Sequence, residues 1–258
     1  MTFTQIGTYN FKFATNIIEP KDTFGDTPLH TAALNGYLDV VKVLMLQDIN
    51  KEPRNNILKT PLHYAAQVGH LEVVKYLMNE IKMTNKGEYI LHFYLLCTIP
   101  KNILVLRRKS FKYVPSHFLE PKDKTGDTPL HWCAAMGHLD IVKYLMEEYN
   151  GSYIDREPRN IYDVTPLHAA ALEGHREIVE YLMRRVRDKE PKDKDGNTIL
   201  HWSAGKGHLD IIKYLFKLKF KMQKNIDREP RNNNEETPLH YAALKVKRIK
   251  LDAKQFTR

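Results

Sequence analysis

The chain has 258 residues, 42% of them hydrophobic and 28% charged, with two cysteines and a formal net charge of +9. That length and apolar content allow a substantial core, and two cysteines outside any CxxC spacing exclude a disulfide scaffold and a thiolate metal site. The charge raises a nucleic-acid or anionic-surface reading, which its location along the chain has to settle.

Residues 1–18 begin MTFTQIGTYNFKFATN, with neither a long apolar block nor a small-residue cleavage pattern, so no signal peptide is expected. They read as a lead-in, or as the tail of a preceding unit. From there the chain repeats itself. TPLHTAALNGYLDVVKVLM at 27–45, TPLHYAAQVGHLEVVKYLM at 60–78, TPLHWCAAMGHLDIVKYLM at 128–146, TPLHAAALEGHREIVEYLM at 165–183 and TILHWSAGKGHLDIIKYLF at 198–216 are five copies of one unit, and TPLHYAALK at 237–245 begins a sixth.

Each copy carries its own helix signals. Thr27, Thr60, Thr128, Thr165, Thr198 and Thr237 stand at N-cap positions, followed in five copies by a proline suited to N1. Leu29, Ala32 and Ala33 then share one face, whose small side chains permit a close neighbour. Gly36 ends the first helix, and Leu38, Val41, Leu44 and Met45 form the stripe of a second, with Asp39 three residues before Lys42 on its wet side. The same pairing is expected for Glu72/Lys75, Asp140/Lys143 and Asp210/Lys213. The unit is a helical hairpin.

Turn-forming stretches join the units in two alternating versions: EPKD with a later glycine before Thr27, Thr128 and Thr198, and EPRN without it before Thr60, Thr165 and Thr237. The ancestral unit therefore reads as a pair. The gap between Thr60 and Thr128 is double, and GEYILH at 87–92 starts a copy there that then fails. Tyr94 and Leu95 replace the small residues, and Pro100 falls inside the second helix. Residues 83–118 read as a degenerate repeat, an insertion, or non-repeat sequence captured by an incorrect gene model, since deleting them restores strict alternation. A decayed repeat makes a weak joint there, with 19–82 and 119–245 melting as partly independent units. The apolar run at 90–106 is too short before Pro100, Lys101 and Asn102 to span a membrane.

The TPLH tetrad, the alanine pair, the Gly-His step and a spacing of about 33 residues resemble the ankyrin repeat. That resemblance implies an all-α ankyrin-repeat solenoid of stacked helix-turn-helix units joined by hairpin-like loops. It implies binding along the loop tips and the inner-helix face rather than catalysis. It also assigns the tetrad histidines His30, His63, His131, His168, His201 and His240 a structural role, tying helix to loop by hydrogen bonds. The expected layout is a lead-in at 1–18, repeats 1–2 at 19–82, the degenerate or inserted segment at 83–118, repeats 4–6 at 119–229, and a truncated repeat with a basic tail at 230–258.

Eleven of the twelve histidines belong to this frame, about one repeat apart, so no metal site is expected. No GxxxxGK[ST], GxSxG or HExxH motif occurs, and no enzyme activity or cofactor is expected. Partner specificity is expected where the frame varies. The pairs before the terminating glycine are Leu34-Asn35, Gln67-Val68, Ala135-Met136, Leu172-Glu173 and Gly205-Lys206, with Leu244-Lys245 in the last copy. The resemblance implies that they project toward the concave side. The position after the tetrad holds Tyr64, Trp132 and Trp202, aromatic anchors that serve either a partner or the seam between repeats.

The positive charge lies outside the regular copies. Residues 82–118 carry +6 and 217–258 carry +7, leaving −4 for the remainder. The sequence therefore predicts an intracellular monomer, cytoplasmic or nuclear, that binds a protein partner as scaffold, adaptor or regulatory subunit. Direct nucleic-acid binding is not expected. The rival reading is a nucleic-acid or anionic-membrane binder using 101–112 and 217–254.

Overall fold

The computed structural model describes residues 20–46, 50–80, 121–148, 157–221 and 229–244. The expected lead-in, the segment at 83–118 and the basic stretches at 101–112 and 245–254 lie outside these residues, as do residues 222–224 of the stretch at 217–224. The described chain is helical: α1 (Pro28–Leu34), α2 (Leu38–Met45), α3 (Pro61–Val68), α4 (71–80), α5 (Pro129–Met136), α6 (Leu139–Glu148), α7 (Pro166–Glu173), α8 (Arg176–Arg185), α9 (Ile199–Lys206), α10 (Leu209–Lys221) and α11 (238–244). No helix among the described residues is long and apolar enough to cross a membrane.

The first helices α1, α3, α5, α7 and α9 pack side by side, and the second helices form an outer layer behind them. The alanines decide this arrangement. Ala33, Ala66, Ala134 and Ala171 are completely buried where consecutive first helices meet, and Cys133 fills the same kind of space in its unit. Leu62, Leu130 and Leu167 from the first helices and Val74, Val142 and Val179 from the second belong to one buried cluster, so each unit adds a slice to one continuous core.

The Gly-His step is a contact between units. Gly137 takes a φ of +85°, and a Cβ there meets the His175 ring of the next unit at 2.6 Å. The ring then reaches back, and His175 Nε2 donates to the Ala135 carbonyl at 2.8 Å. His70, His138 and His208 bond in the same way to the Leu34, Gln67 and Leu172 carbonyls. Of the expected helix-surface ion pairs, Asp39–Lys42 and Glu72–Lys75 form. Asp140 and Asp210 do not pair with Lys143 and Lys213; Asp140 instead accepts the Ile141 amide near the start of its helix.

The units at 60 and 128 are direct neighbours. Helix α3 packs on α5 as the other first helices pack on theirs. His63 Nε2 donates to the Asp127 carbonyl at 3.1 Å and His138 to the Gln67 carbonyl at 3.0 Å, across the gap in sequence. Among the described residues no unit stands between them, and that changes the expected unfolding. Two blocks sharing a full interface melt together. Replacing residues 84–117 with a short Gly-Ser linker should therefore leave one cooperative urea transition, followed by circular dichroism; two separate transitions would contradict the direct stack. Gly137→Ala should cost ~2 kcal/mol in the same experiment, from the left-handed φ and the His175 contact together.

Candidate functional site

The loops that link the units form a ladder. Asn56 N–H donates to the Phe24 carbonyl, Lys124 to Ile57, Ile161 to Thr125, Lys194 to Tyr162 and Asn233 to Asp195, all at 2.9–3.0 Å. Each loop therefore holds the next in register. All six turn through a positive φ two residues before the threonine. EPKD loops place Gly25, Gly126 and Gly196 there, whereas EPRN loops place Leu58, Asp163 and Glu235, at φ of 57–60°. Side chains rarely adopt that conformation, and the arginine of EPRN braces it. Arg54 donates to the Leu58 carbonyl and to the Lys122 carbonyl of the following loop, and Arg159 does the same to Asp163 and Lys192.

The Asp and Asn of the two versions are complementary. Asn55 and Asn160 close their own turns through Oδ1 and donate through Nδ2 to Asp26 and Asp127 of the preceding EPKD loop, and Asn232 does so to Asn197. The EPKD aspartates Asp123 and Asp193 keep an oxygen for the indole N–H of Trp132 and Trp202.

The tetrad histidines join helix to loop. Thr27 N–H donates to His30 Nδ1 at 3.1 Å, so that nitrogen is unprotonated and Nε2 carries the hydrogen. Nε2–H then donates to the Lys59 carbonyl of the next unit at 3.0 Å. The same two bonds recur at Thr60/His63, Thr128/His131, Thr165/His168 and Thr198/His201, with Nε2 on the Asp127, Val164, Asn197 and Glu236 carbonyls. At the sixth unit Thr237 N–H donates to His240 Nδ1. The ring nitrogen takes the place of the Glu side chain of an ordinary capping box.

The variable positions lie at the ends of the first helices. Leu34, Asn35, Val68, Met136, Glu173 and Lys206 are exposed, while Gln67, Ala135, Leu172 and Gly205 are half-buried. The aromatics after the tetrad are half-buried in the seam. Tyr64 and Trp202 lie against the His30 and His168 rings of the preceding unit. Tyr64, Trp132 and Gln67 converge on one buried ammonium: Lys59 Nζ is 3.5 Å from the Trp132 ring centroid, 5.4 Å from that of Tyr64, and donates to Gln67 Oε1 at 2.8 Å. Burial lowers the pKa of this lysine against the pull of Asp123, Asp127 and Asp26. Through Trp132 this lysine links the unit at 60 to the unit at 128, while the Tyr64 hydroxyl donates to Asp26 of the unit before.

The loop tips carry apolar side chains that sequence reasoning missed. Phe24, Ile57, Leu58, Ile161 and Tyr162 are 71%, 46%, 45%, 49% and 55% exposed. The signal was present as apolar residues at turn positions that hold Lys, Asp or Asn in other copies. Among the described residues no group of His, Cys, Asp and Glu could hold a metal ion. Cys133 is buried, which raises its thiol pKa.

A family model described as ankyrin repeats matches the chain in three copies, at residues 7–87, 107–195 and 185–251. No curated protein matches it.

The tetrad bonds require neutral rings, and burial holds them neutral. It lowers His63 and His168 to about 4, and lowers His30, His131 and His201 as well. Unfolding returns each ring to about 6.5, so below about pH 6.5 the unfolded chain binds protons that the folded chain refuses, for His63 and His168 down to about pH 4. Their contribution is full above pH 6.5 and is lost as pH falls, by up to about 1.4 kcal/mol per pH unit for each ring. Glu52, raised by burial to about 7, opposes this as one group against five. The melting temperature should fall between pH 7 and 4.5 in a thermal scan; a flat profile would show that the rings are not held neutral.

Proposed function

The chain belongs to the ankyrin-repeat family, whose repeats are generally protein-protein interaction modules and typically non-catalytic, and we propose that it binds a protein partner across its loop tips and the adjoining ends of its first helices. One observation supports this most strongly: five large apolar side chains, Phe24, Ile57, Leu58, Ile161 and Tyr162, stand exposed on loops held in fixed register by hydrogen bonds. An exposed apolar surface with a rigid backbone is inexpensive to bind, since little ordering entropy is lost on association. Leu34, Val68 and Met136, also exposed, extend the surface onto the concave side, and Asn35, Glu173 and Lys206 give it a polar border. Tyr64, Trp132 and Trp202 act behind it, positioning the helices. The partner meets side chains from several units at once. The module acts as a scaffold, adaptor or regulatory subunit in the cytoplasm or nucleus, as a monomer.

The test replaces Phe24, Ile57 and Tyr162 with aspartate and, separately, Val68 and Met136 with glutamate. All five side chains are exposed, so melting temperatures should stay within a few degrees of the parent. Discrete proteins captured by the parent from lysate at raised salt should be lost by both variants. Retention of the same proteins by both, or capture of nucleic acid alone, would overturn the reading.

A further inference from the structure

A cavity of about 1140 Å³ opens between the second helices α8 and α10. Met183, Leu209 and Leu218 line it with apolar surface, and Leu209 is 58% exposed. Its walls are basic. Arg176 and Arg184 stand on α8, and Lys213 and Lys217 on α10. Of its two acidic side chains, Glu180 is engaged by both arginines, at 2.8 and 3.9 Å. Asp210 is the other. Among the described residues Lys213 and Lys217 have no carboxylate partner.

Of these charges the repeat frame supplies only Lys213, whose position holds Lys42, Lys75 and Lys143 in the first three copies. The position of Lys217 holds Leu46, Asn79 and Glu147 in the first three copies, and that of Arg176 holds Leu38, Leu71, Leu139 and Leu209. The same helix forms in each case. Lys213 belongs to the frame, and what is particular to this pair of units is the addition of Arg176, Arg184 and Lys217 around it.

We propose that this groove receives an acidic amphipathic helix of a partner protein. A third helix seats between two neighbouring helices by packing ridges into grooves. Lys213 and Lys217, one turn apart, face carboxylates spaced one turn apart on such a helix, and its apolar stripe covers Leu209 and Met183. A nucleic acid calls for a continuous cationic track, which Asp210 and the apolar lining interrupt. A bilayer surface fits a convex or flat face better than a groove. The site uses outer helices alone, so it stands or falls separately from binding at the loop tips.

The test uses the full chain and a fluorescein-labelled helical peptide carrying one stripe of leucine and one of glutamate, read by fluorescence anisotropy at low and raised salt. The double variant Lys213→Glu/Lys217→Glu should weaken binding by about tenfold or more, and raised salt should weaken the parent. Lys143→Glu, the same position as Lys213 in an earlier unit, should leave affinity unchanged. Failure of the parent to bind the peptide, or an equal loss in Lys143→Glu, would overturn the proposal. So would a double variant that loses phosphatidylserine vesicles or duplex DNA while keeping the peptide.

Discussion

The stack depends on what one buried imidazole does with its two nitrogens. Nδ1 of each tetrad histidine among the described residues accepts the backbone N–H at the start of its own helix, and in the first five Nε2 donates to the carbonyl that precedes the next unit's threonine. One rigid ring thus fixes the helix start in one unit and the loop in the next. Burial makes the bond pair possible, because a charged ring has no acceptor to offer the threonine. The second histidine of each full unit after the first repeats the device at the far end of the helix, standing over a glycine and bonding a carbonyl of the unit before. A hairpin without neighbours leaves these donors and its apolar face unpartnered, so the units hold together only as an array.

The two loop versions are two solutions to one turn. EPKD solves it with glycine at the left-handed position. EPRN puts a side chain there and holds the carbonyl with arginine, whose guanidinium also grips the following loop. Asparagine supplies the amide donor that the preceding aspartate accepts. Each version therefore carries the complement of its neighbour. The alternation survives at the junction of the units at 60 and 128 because those two meet directly, whatever lies between them in the chain. The rigid ladder in turn presents apolar tips that flexible loops would have to order on binding.

Helix starts and ends were legible in the sequence because Thr-Pro, the alanine pair and glycine each act locally. The role of the tetrad histidine followed from resemblance alone, since spacing carries no information about which carbonyl a ring will meet. The concave placement of the variable pairs rested on the same resemblance. The exposed tip residues were not legible: an isoleucine or phenylalanine in a turn reads as an irregularity until its neighbours in space are known. Tyr64, Trp132 and Gln67 share a lysine that follows the EPRN turn, and only the stacked geometry brings all four together.

The measurement closest to the central claim is the tautomer and titration of His63, whose Nε2 bonds the unit at 128 from the unit at 60. Long-range nitrogen-15 NMR on histidine-labelled protein distinguishes the protonated nitrogen of a neutral ring. The account predicts a neutral Nε2–H ring with no protonation down to about pH 5, in keeping with a pKa held by burial at about 4. A ring that titrates near 6.5, or one that carries its proton on Nδ1, would contradict it.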